Sequence, residues 1–202
     1  SIRRQRQMCI RDSTTLEISP PLPRLVSHPH AVANILDRLG IQPSEQPVLV
    51  ICPGAAFGPA KRWPPVYFAQ IAQQQLLRGW QVWLIGSQED AQITAEISGA
   101  GSPYLYDLAG RTRLEDVVDL LSVASCVISN DSGLMHVAAA VDTPVIALFG
   151  STSPKINPPL SPRATILWRE LSCSPCHREN SPLGHTNCLH ELSVDRVREA
   201  LT

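Results

Sequence analysis

A loop at residues 53–63, read PGAAFGPAKRW, combines glycines with basic side chains directly after an apolar run. Glycine lets a backbone bend sharply and present N–H groups to an anion. Lys61 would add a point charge to such a site, and Arg62 a planar fork of donors. The loop has neither the spacing of a P-loop nor the GxGxxG dinucleotide fingerprint. Taken alone, it fits a phosphate-contacting loop and an ordinary strand-to-helix connection equally well.

A second loop, residues 129–136, reads SNDSGLMH and also leads from a predicted strand into a predicted helix. Asp131 or Ser132 could cap that helix and leave its free N–H groups for a phosphate. His136 lies four residues after Ser132, so both face the same side of the first turn. Because a carboxylate repels a diphosphate, we assign Asp131 to sugar hydroxyls. The alternative is plain capping chemistry with His136 packed on the helix.

A third loop, residues 107–112, reads DLAGRT and follows a predicted third strand. Its small residues and apolar backbone suit the flat edge of a nucleobase, read through backbone hydrogen bonds. The pattern is weak by itself. Since all three loops follow strands, we expect them to reach one common crevice.

Short apolar runs alternate with helical periodicity along most of the chain. Strands are predicted at residues 48–52, 81–85, 104–108, 126–129 and 144–149, with an edge strand at 164–169. Helices are predicted at residues 30–39, 66–78, 89–97, 114–124, 133–141 and 193–201. This alternation predicts an α/β fold with a doubly wound, Rossmann-like parallel sheet covered on both faces.

Composition narrows the function classes. Hydrophobic residues make up 44% of the chain and charged residues 17%, so a packed core is expected. The net charge of −1 provides no field that would recruit nucleic acid. The sequence contains no apolar run of the roughly 18 residues that a membrane span needs, nor a secretion signal. We therefore expect a cytoplasmic protein.

Six cysteines are too few and too unevenly spaced for a disulfide scaffold. Cys52 and Cys126 lie in apolar runs and are predicted to be buried thiols. Cys173, Cys176 and Cys188 belong to a Cys/His-rich stretch that could bind zinc together with a nearby histidine. Reduced thiols or a single disulfide are the alternatives. Because the stretch lacks a second CxxC, no metal is assigned to it.

Four stretches in order along the chain resemble the ADP-heptose:lipopolysaccharide heptosyltransferases, glycosyltransferase family nine. They are PGAAFGPAKRWP (53–64), DLAGRT (107–112), SNDSGLMHVAAA (129–140) and PVIALFGSTSP (144–154). The resemblance implies a GT-B fold, in which the active site lies between two Rossmann-like domains. It further implies that this chain corresponds to the C-terminal domain, which holds the nucleotide-sugar donor.

The resemblance also implies roles for individual residues. Donor contacts are expected from Gly54, Gly58, Lys61, Leu108, Ala109, Gly110, Thr112, Asp131, Ser132, Gly133 and His136. Lys61, Asp131 and His136 are the expected catalytic residues among them. By the same resemblance, residues 108–112 would lie by the adenine and the loop at 86–89 by the ribose.

Three segments are expected. Residues 1–13, SIRRQRQMCIRDS, are interpreted as a non-native or disordered tail on a fragment, since the chain begins with serine. Residues 14–46 are a proline-rich leader with a short helix. Residues 47–202 form the nucleotide-sugar-binding domain, including the Cys/His-rich loop at 172–190.

The implied reaction transfers L-glycero-D-manno-heptose from ADP-heptose to the inner core of lipopolysaccharide, without a cofactor. The resemblance places the general base on an N-terminal domain absent from this chain, so we expect donor binding without transfer. At most, the protein would touch the inner membrane peripherally. The alternatives are a GT-B transferase or epimerase using a UDP-sugar, and a non-enzymatic nucleotide-binding module. A zinc-dependent interaction domain explains none of the three loops.

Overall fold

The computed structural model describes residues 21–99 and 101–201. Within them, six strands form one sheet: β1 (Val48–Cys52), β2 (Gln81–Leu84), β3 (Leu105–Asp107), β4 (Cys126–Asn130), β5 (Val145–Phe149) and β6 (Ala164–Trp168). Their order is β3-β2-β1-β4-β5-β6, and every pairing is parallel. The predicted doubly wound sheet is confirmed. The predicted tail at residues 1–13 and the leader up to residue 20 lie outside the described residues.

Helices connect and cover the strands. They are α1 (Pro29–Leu39), α2 (Pro65–Leu77), α3 (Ala91–Ser98), α4 (Leu114–Ser122), α5 (Gly133–Ala140), α6 (Asn187–His190) and α7 (Val194–Ala200). Short 3-10 turns lie at Pro59–Lys61 and Gln88–Asp90. The second turn replaces the start of the helix predicted at residues 89–97, because a capping box between Ser87 and Asp90 tightens the chain there. The short helix α6 was not predicted.

The central strands are buried on both faces, as their unbroken apolar runs indicate. Alternate residues point to opposite faces. Val50 and Ala147 belong to a core cluster with residues of α1, α4 and α5. Leu49 and Ile146 belong to a second cluster with residues of α2, α3 and α7. The two clusters pack helices against both faces of the sheet and thereby hold the ends of the strands in place.

Helix α1, predicted as part of a leader, packs on the sheet domain. Its Ile35 and Leu39 join the first core cluster. The helix ends at Gly40 in the left-handed conformation, with φ of 72°. Arg111 then donates a hydrogen bond from Nη2 to the Leu39 carbonyl at 2.9 Å, which ties the helix end to the loop after β3.

The chain order creates a switch point between β1 and β4. From β1 the sheet grows outward through β2 and β3 on one side, and through β4, β5 and β6 on the other. In open α/β sheets, ligands bind at such a point, beyond the carboxyl ends of the strands. The loops after β1 and β4 flank it directly. No helix in the described ranges is both long and apolar enough to span a membrane.

Candidate functional site

A cleft of about 690 Å³ lies at this switch point. The loops after β1, β2 and β4 line it, together with Thr112 near the end of the loop after β3, the first turns of α4 and α5, and Asn157. Its volume lies within the range of about 300–1,000 Å³ that is typical of small-molecule sites. The cleft lies at the strand ends, where the three loops were expected to meet, and of the loop at residues 107–112 only Thr112 lines it.

A buried ion pair stands in the wall of this cleft. Lys61 Nζ lies 2.6 Å from Asp131 Oδ2, and Thr152 Oγ1 donates to the same oxygen at 2.5 Å. Only 13% of the Lys61 side chain and 3% of the Asp131 side chain are exposed. Phe57 covers the ammonium group, with its ring centroid 5.0 Å from Nζ. Lys61 thereby neutralises the Asp131 carboxylate, which lies beside the helix start predicted to hold a phosphate.

Such a pair is poorly explained by stability. Removing two charges from water is expensive, and apolar residues of similar volume often serve a core equally well. Lys61 and Asp131 both line the cleft, so a polar ligand can reach them. Ligand binding therefore explains the pair better than folding does.

The first turn of α5 opens onto the same wall. Ser132 occupies the N-cap position, as predicted, but no side chain accepts a hydrogen bond there. The Ser132 hydroxyl instead lies 3.2 Å from Ser129 Oγ. With Asp131 paired to Lys61, the backbone N–H groups of this turn remain available for an anion.

His136 lies one turn further along α5 and also lines the cleft. Its Nε2 is 3.0 Å from Nδ2 of Asn157. An amide nitrogen only donates, so Nε2 accepts and a neutral His136 carries its proton on Nδ1. Ser132 and His136 both belong to the lining of the cleft, and their sharing a face of the helix stays a prediction.

Asn130, which sequence reasoning left without a role, fastens both ends of the loop after β1. Its Nδ2 donates to the Pro53 carbonyl at 2.7 Å, and its Oδ1 accepts from the Trp63 N–H at 3.0 Å. The Trp63 indole, 1% exposed, donates to the Leu192 carbonyl at 2.8 Å. An amide at the end of a buried strand was the available signal, because a buried polar group needs partners.

Asp90 forms the wall on the β2 side. Its Oδ2 accepts hydrogen bonds from the N–H and the hydroxyl of Ser87, at 2.9 and 2.8 Å. A Cβ at Gly54 would lie 2.5 Å from the Asp90 carboxylate, so glycine is required there for close approach. Below them, burial and then the Asp90 charge raise the pKa of the Cys52 thiol. Cys52 is therefore an inert neutral thiol, and Cys126 is buried as predicted.

The structure divides the predicted donor residues into two sets. Those that line the cleft are Gly54, Lys61, Thr112, Asp131, Ser132, Gly133 and His136. Those outside its lining are Gly58, Leu108, Ala109 and Gly110. Of the loop at 86–89 expected to hold the ribose, Gly86 and Ser87 line the cleft, and so does Asp90, the residue that follows this loop.

Hydrogen bonding explains why the loop after β3 stands back. The N–H groups of Leu108 and Gly110 donate to the carbonyls of Leu84 and Gly86, at 2.9 and 3.0 Å. The N–H of Ala109 donates to Asp107 Oδ1 at 3.1 Å. These three N–H groups are therefore already hydrogen-bonded. If this segment contacts a nucleobase, its carbonyl oxygens and Thr112 would have to make the contact. That contact stays a prediction.

The Cys/His-rich segment packs behind the loop after β1. The Ala60 N–H donates to the Glu179 carbonyl at 3.1 Å, and a Cβ at Gly58 would collide with Glu179. Cys173, Cys176 and Cys188 are free thiols, and burial followed by the two neighbouring thiols raises the pKa of Cys188. Within residues 21–99 and 101–201, no group of three or more His, Cys, Asp or Glu side chains is arranged to hold a metal ion.

The parallel sheet and the cleft at its switch point define an α/β domain of the Rossmann-like class. The family model described as glycosyltransferase family 9 (heptosyltransferase) matches residues 10–187. The chain belongs to glycosyltransferase family 9.

Curated relatives extend this match. The chain is 40% identical over 162 residues to lipopolysaccharide heptosyltransferase 2 of Salmonella typhimurium, covering 78% of this chain and 47% of the relative. It is 44% identical over 152 residues to lipooligosaccharide heptosyltransferase 2 of Haemophilus influenzae, covering 72% and 44%. The chain thus spans about half the length of the curated relatives it matches.

Solved structures agree. ADP-heptose lipopolysaccharide heptosyltransferase II of E. coli superimposes with a TM-score of 0.81 at 35% identity, covering 92% of this chain and 54% of that one. E. coli heptosyltransferase WaaC, solved with ADP-2-deoxy-2-fluoro heptose, gives a TM-score of 0.61 at 21% identity, covering 83% and 46%. The second match shows the shared fold alone.

Proposed function

We propose that this chain is the donor-binding half of an ADP-heptose-dependent heptosyltransferase of lipopolysaccharide inner-core synthesis. The observation that carries the proposal is the buried Lys61–Asp131 pair beside the open first turn of α5. The first turn of α5 offers N–H groups to an anion, and the neighbouring Asp131 carboxylate is suited to sugar hydroxyls. The names of the curated relatives supply the particular sugar and acceptor.

The diphosphate would lie at the start of α5. Backbone N–H groups there point at an anion, and the helix dipole favours negative charge. Gly133 leaves open space at this position, since a Cβ built on it meets nothing within 4 Å. Lys61 and His136 would add charge and a hydrogen bond as ADP departs, which is preorganised stabilisation of the leaving group.

The heptose would lie against Asp131. Paired with Lys61, its carboxylate repels the neighbouring diphosphate less than an unpaired charge would. An ionised carboxylate has room for several hydrogen bonds and accepts well from sugar hydroxyls. Asp131 would thereby orient the sugar, with its anomeric carbon held next to the diphosphate.

The nucleoside would lie on the opposite side, toward α4. Leu114 and Val117 give an apolar surface for the base, and Thr112 adds a polar contact at its edge. Ser87 and Asp90 lie at the loop after β2, where they could meet ribose hydroxyls.

In the reaction, a hydroxyl oxygen of the acceptor heptose would bond to the anomeric carbon of the donor while the bond from that carbon to the ADP oxygen breaks. The electron pair leaves with ADP. A general base must take the hydroxyl proton. We place that base on the half of the protein that this chain does not span, and we predict that the chain alone does not transfer heptose. A cytoplasmic location, at most in peripheral contact with the inner membrane, stays a prediction.

Calorimetric titration of the chain with ADP, UDP and ADP-heptose tests the donor assignment. We expect ADP to bind more tightly than UDP, and ADP-heptose more tightly than ADP. Tighter binding of UDP would overturn the assignment in favour of a UDP-sugar enzyme. Binding of ADP with no gain from the heptose would instead favour a nucleotide-binding module.

An assay with ADP-heptose and a heptose-bearing lipopolysaccharide acceptor tests the division of labour. We expect the 202-residue chain to leave the acceptor unmodified, while the same chain joined to the other half of a family relative transfers heptose. Transfer by the chain alone at a comparable rate would place the base within these residues.

A further inference from the structure

We propose that Thr152 is a positioning residue for the sugar-binding carboxylate of Asp131, and so contributes to sugar affinity without contacting the nucleotide. The inference rests on the proposed function, because it concerns the same site. It starts from the hydroxyl of Thr152, which donates to Asp131 Oδ2 at 2.5 Å.

Two donors from different segments converge on one carboxylate oxygen. Lys61 approaches Oδ2 from the loop after β1, and Thr152 approaches it from the loop after β5. Two bonds to one oxygen fix the rotation of the carboxylate about its terminal torsion, which is otherwise broad. Oδ1 is then the oxygen left for a ligand hydroxyl.

The backbone of Asp131 is fixed independently. Its N–H donates to the Leu148 carbonyl on β5 at 3.1 Å. The side-chain torsions are therefore what remain to be set, and Thr152 helps to set them from the loop that follows the same strand, β5. Lys61 neutralises the charge of the Asp131 carboxylate, whereas the short neutral side chain of Thr152 fixes the orientation of that carboxylate.

A ring of backbone hydrogen bonds holds the two donors in register. The Ser151 N–H donates to the Ala60 carbonyl at 3.3 Å, so the residues just before Thr152 and Lys61 are joined. The Ala60 N–H donates to the Glu179 carbonyl at 3.1 Å, and the His177 N–H donates to the Ser151 carbonyl at 2.7 Å. The Cys/His-rich segment therefore braces both loops from behind, which keeps Thr152 and Lys61 at a fixed separation around Asp131.

Thr152 does not line the cleft, whereas Asp131 does. Its effect on a ligand must therefore pass through Asp131. Because Asp131 is assigned to the sugar, loss of the hydroxyl should weaken binding of ADP-heptose and spare ADP. A purely structural role would weaken both ligands alike.

Calorimetry with Thr152→Val and Thr152→Ser tests this split. Valine keeps the shape and removes the donor, and Thr152 is only half-buried, so the variant should fold. We expect about a 10-fold loss of ADP-heptose affinity in Thr152→Val, the scale of one hydrogen bond to a charged group. ADP affinity should stay unchanged, and Thr152→Ser should retain both affinities.

A double-variant cycle supplies the second measurement. With Asp131→Asn already in place, adding Thr152→Val should cause little further loss of ADP-heptose affinity, because the two residues act as one unit. Equal losses for ADP and ADP-heptose, a serine variant as weak as the valine variant, or additive losses in the cycle would each overturn the inference. If Thr152→Val misfolds, Thr152→Ala takes its place with the same expectations. Failure of the unsubstituted chain to bind ADP would instead refute the proposed function itself.

Discussion

The two sides of the cleft differ in the polarity of their side chains. On the β4 side, Lys61, Asp131 and Thr152 place a charged, hydrogen-bonded cluster in a position where only 3% of the Asp131 side chain is exposed. On the β2 side, apart from the Asp90 carboxylate and Ser87, Ile85 and Val117 present buried apolar surface that is continuous with the first core cluster. One side departs from ordinary core chemistry, and the other extends the core to the ligand.

This difference shows where stability and ligand binding compete. A buried ion pair contributes little net stability, whereas apolar burial stabilises by about 25 cal/mol per Å². The apolar side can therefore serve the fold and the ligand with the same residues. On the charged side, the polar groups satisfy one another until a ligand arrives, and the surrounding loops must hold them in place.

The largest effect is expected from breaking the charged side. Lys61→Met should lower the free energy of unfolding by about 3 kcal/mol, because it leaves the buried Asp131 carboxylate without its cation. Adding Asp131→Asn should recover much of that loss, since no buried charge then remains. Urea unfolding of both variants measures the difference. Equal losses would mean that Lys61 stabilises the fold through packing and not by neutralising Asp131.

A substitution at Gly54 tests the contact between the loop after β1 and Asp90 on the β2 side of the cleft. Gly54→Ala places a Cβ 2.5 Å from the Asp90 carboxylate, which two hydrogen bonds from Ser87 hold in place. We expect a loss of about 1–3 kcal/mol in urea unfolding, as for other overpacked sites. Gly133→Ala is the matched control, because its Cβ meets nothing within 4 Å. A destabilised control would show that the cleft tolerates no added methyl group.

A substitution on the apolar side of the cleft should change ligand affinity and leave the free energy of unfolding unchanged. Leu114 is 65% exposed at the rim of the cleft, so Leu114→Gln should leave unfolding unchanged. We expect about a fivefold loss of ADP affinity, from a few tens of Å² of apolar contact at about 25 cal/mol per Å². Leu77→Gln, 82% exposed and outside the cleft, is the control and should change neither quantity. If calorimetry gave Leu114→Gln and the unsubstituted chain the same ADP affinity, the adenine would have to lie elsewhere.

The smallest effect concerns an ion pair with one exposed partner, as a contrast to the Lys61–Asp131 pair. Arg38 Nη2 lies 2.7 Å from Asp116 Oδ2, and 49% of the Arg38 side chain is exposed against 14% of the Asp116 side chain. Burial raises the pKa of Asp116, but the Arg113 backbone N–H and the Arg38 guanidinium outweigh it, so the net pKa lies below the usual value. A lowered folded pKa adds stability that is present at neutral pH and is lost as the pH falls through that value.

Arg38→Gln should therefore cost less than about 1 kcal/mol at neutral pH, as for other solvent-screened pairs. Urea unfolding across a pH series should show the two proteins converging in acid. A difference that persisted or grew at low pH would indicate that Arg38 acts through packing on α4.

Much of the fold was predictable from local patterns. The runs at Val48–Cys52 and Val145–Phe149 are apolar and β-branched, so they indicate buried parallel strands. The last helix was predicted at residues 193–201, and its N-cap is Ser193, whose hydroxyl accepts from the Arg196 N–H at 3.4 Å. The loops after β1 and β4 were found in the same way, because their glycines and polar residues follow strands directly.

The roles of Asn130, Thr152 and Asp90 were not predictable by the same reasoning. Each lies against a partner distant in the sequence: Asn130 donates to Pro53, Thr152 donates to Asp131, and the Asp90 carboxylate occupies the space that a side chain at residue 54 would need. Periodicity describes which face a residue occupies. It does not say which donor meets which acceptor once the strands are aligned.

The sequence by itself determined the alternation of strands and helices and the two loops, after β1 and β4, that flank the cleft, and its motifs resembled family 9. The alternation and the positions of these loops follow from burial patterns and backbone preferences, which act over a few residues. Only the tertiary structure decided that Lys61 neutralises Asp131 and that the N–H groups of the loop after β3 are already bonded. Hydrogen bonds and ion pairs depend on distances of a few ångströms between distant segments, and strand register together with the packing of the loops sets those distances.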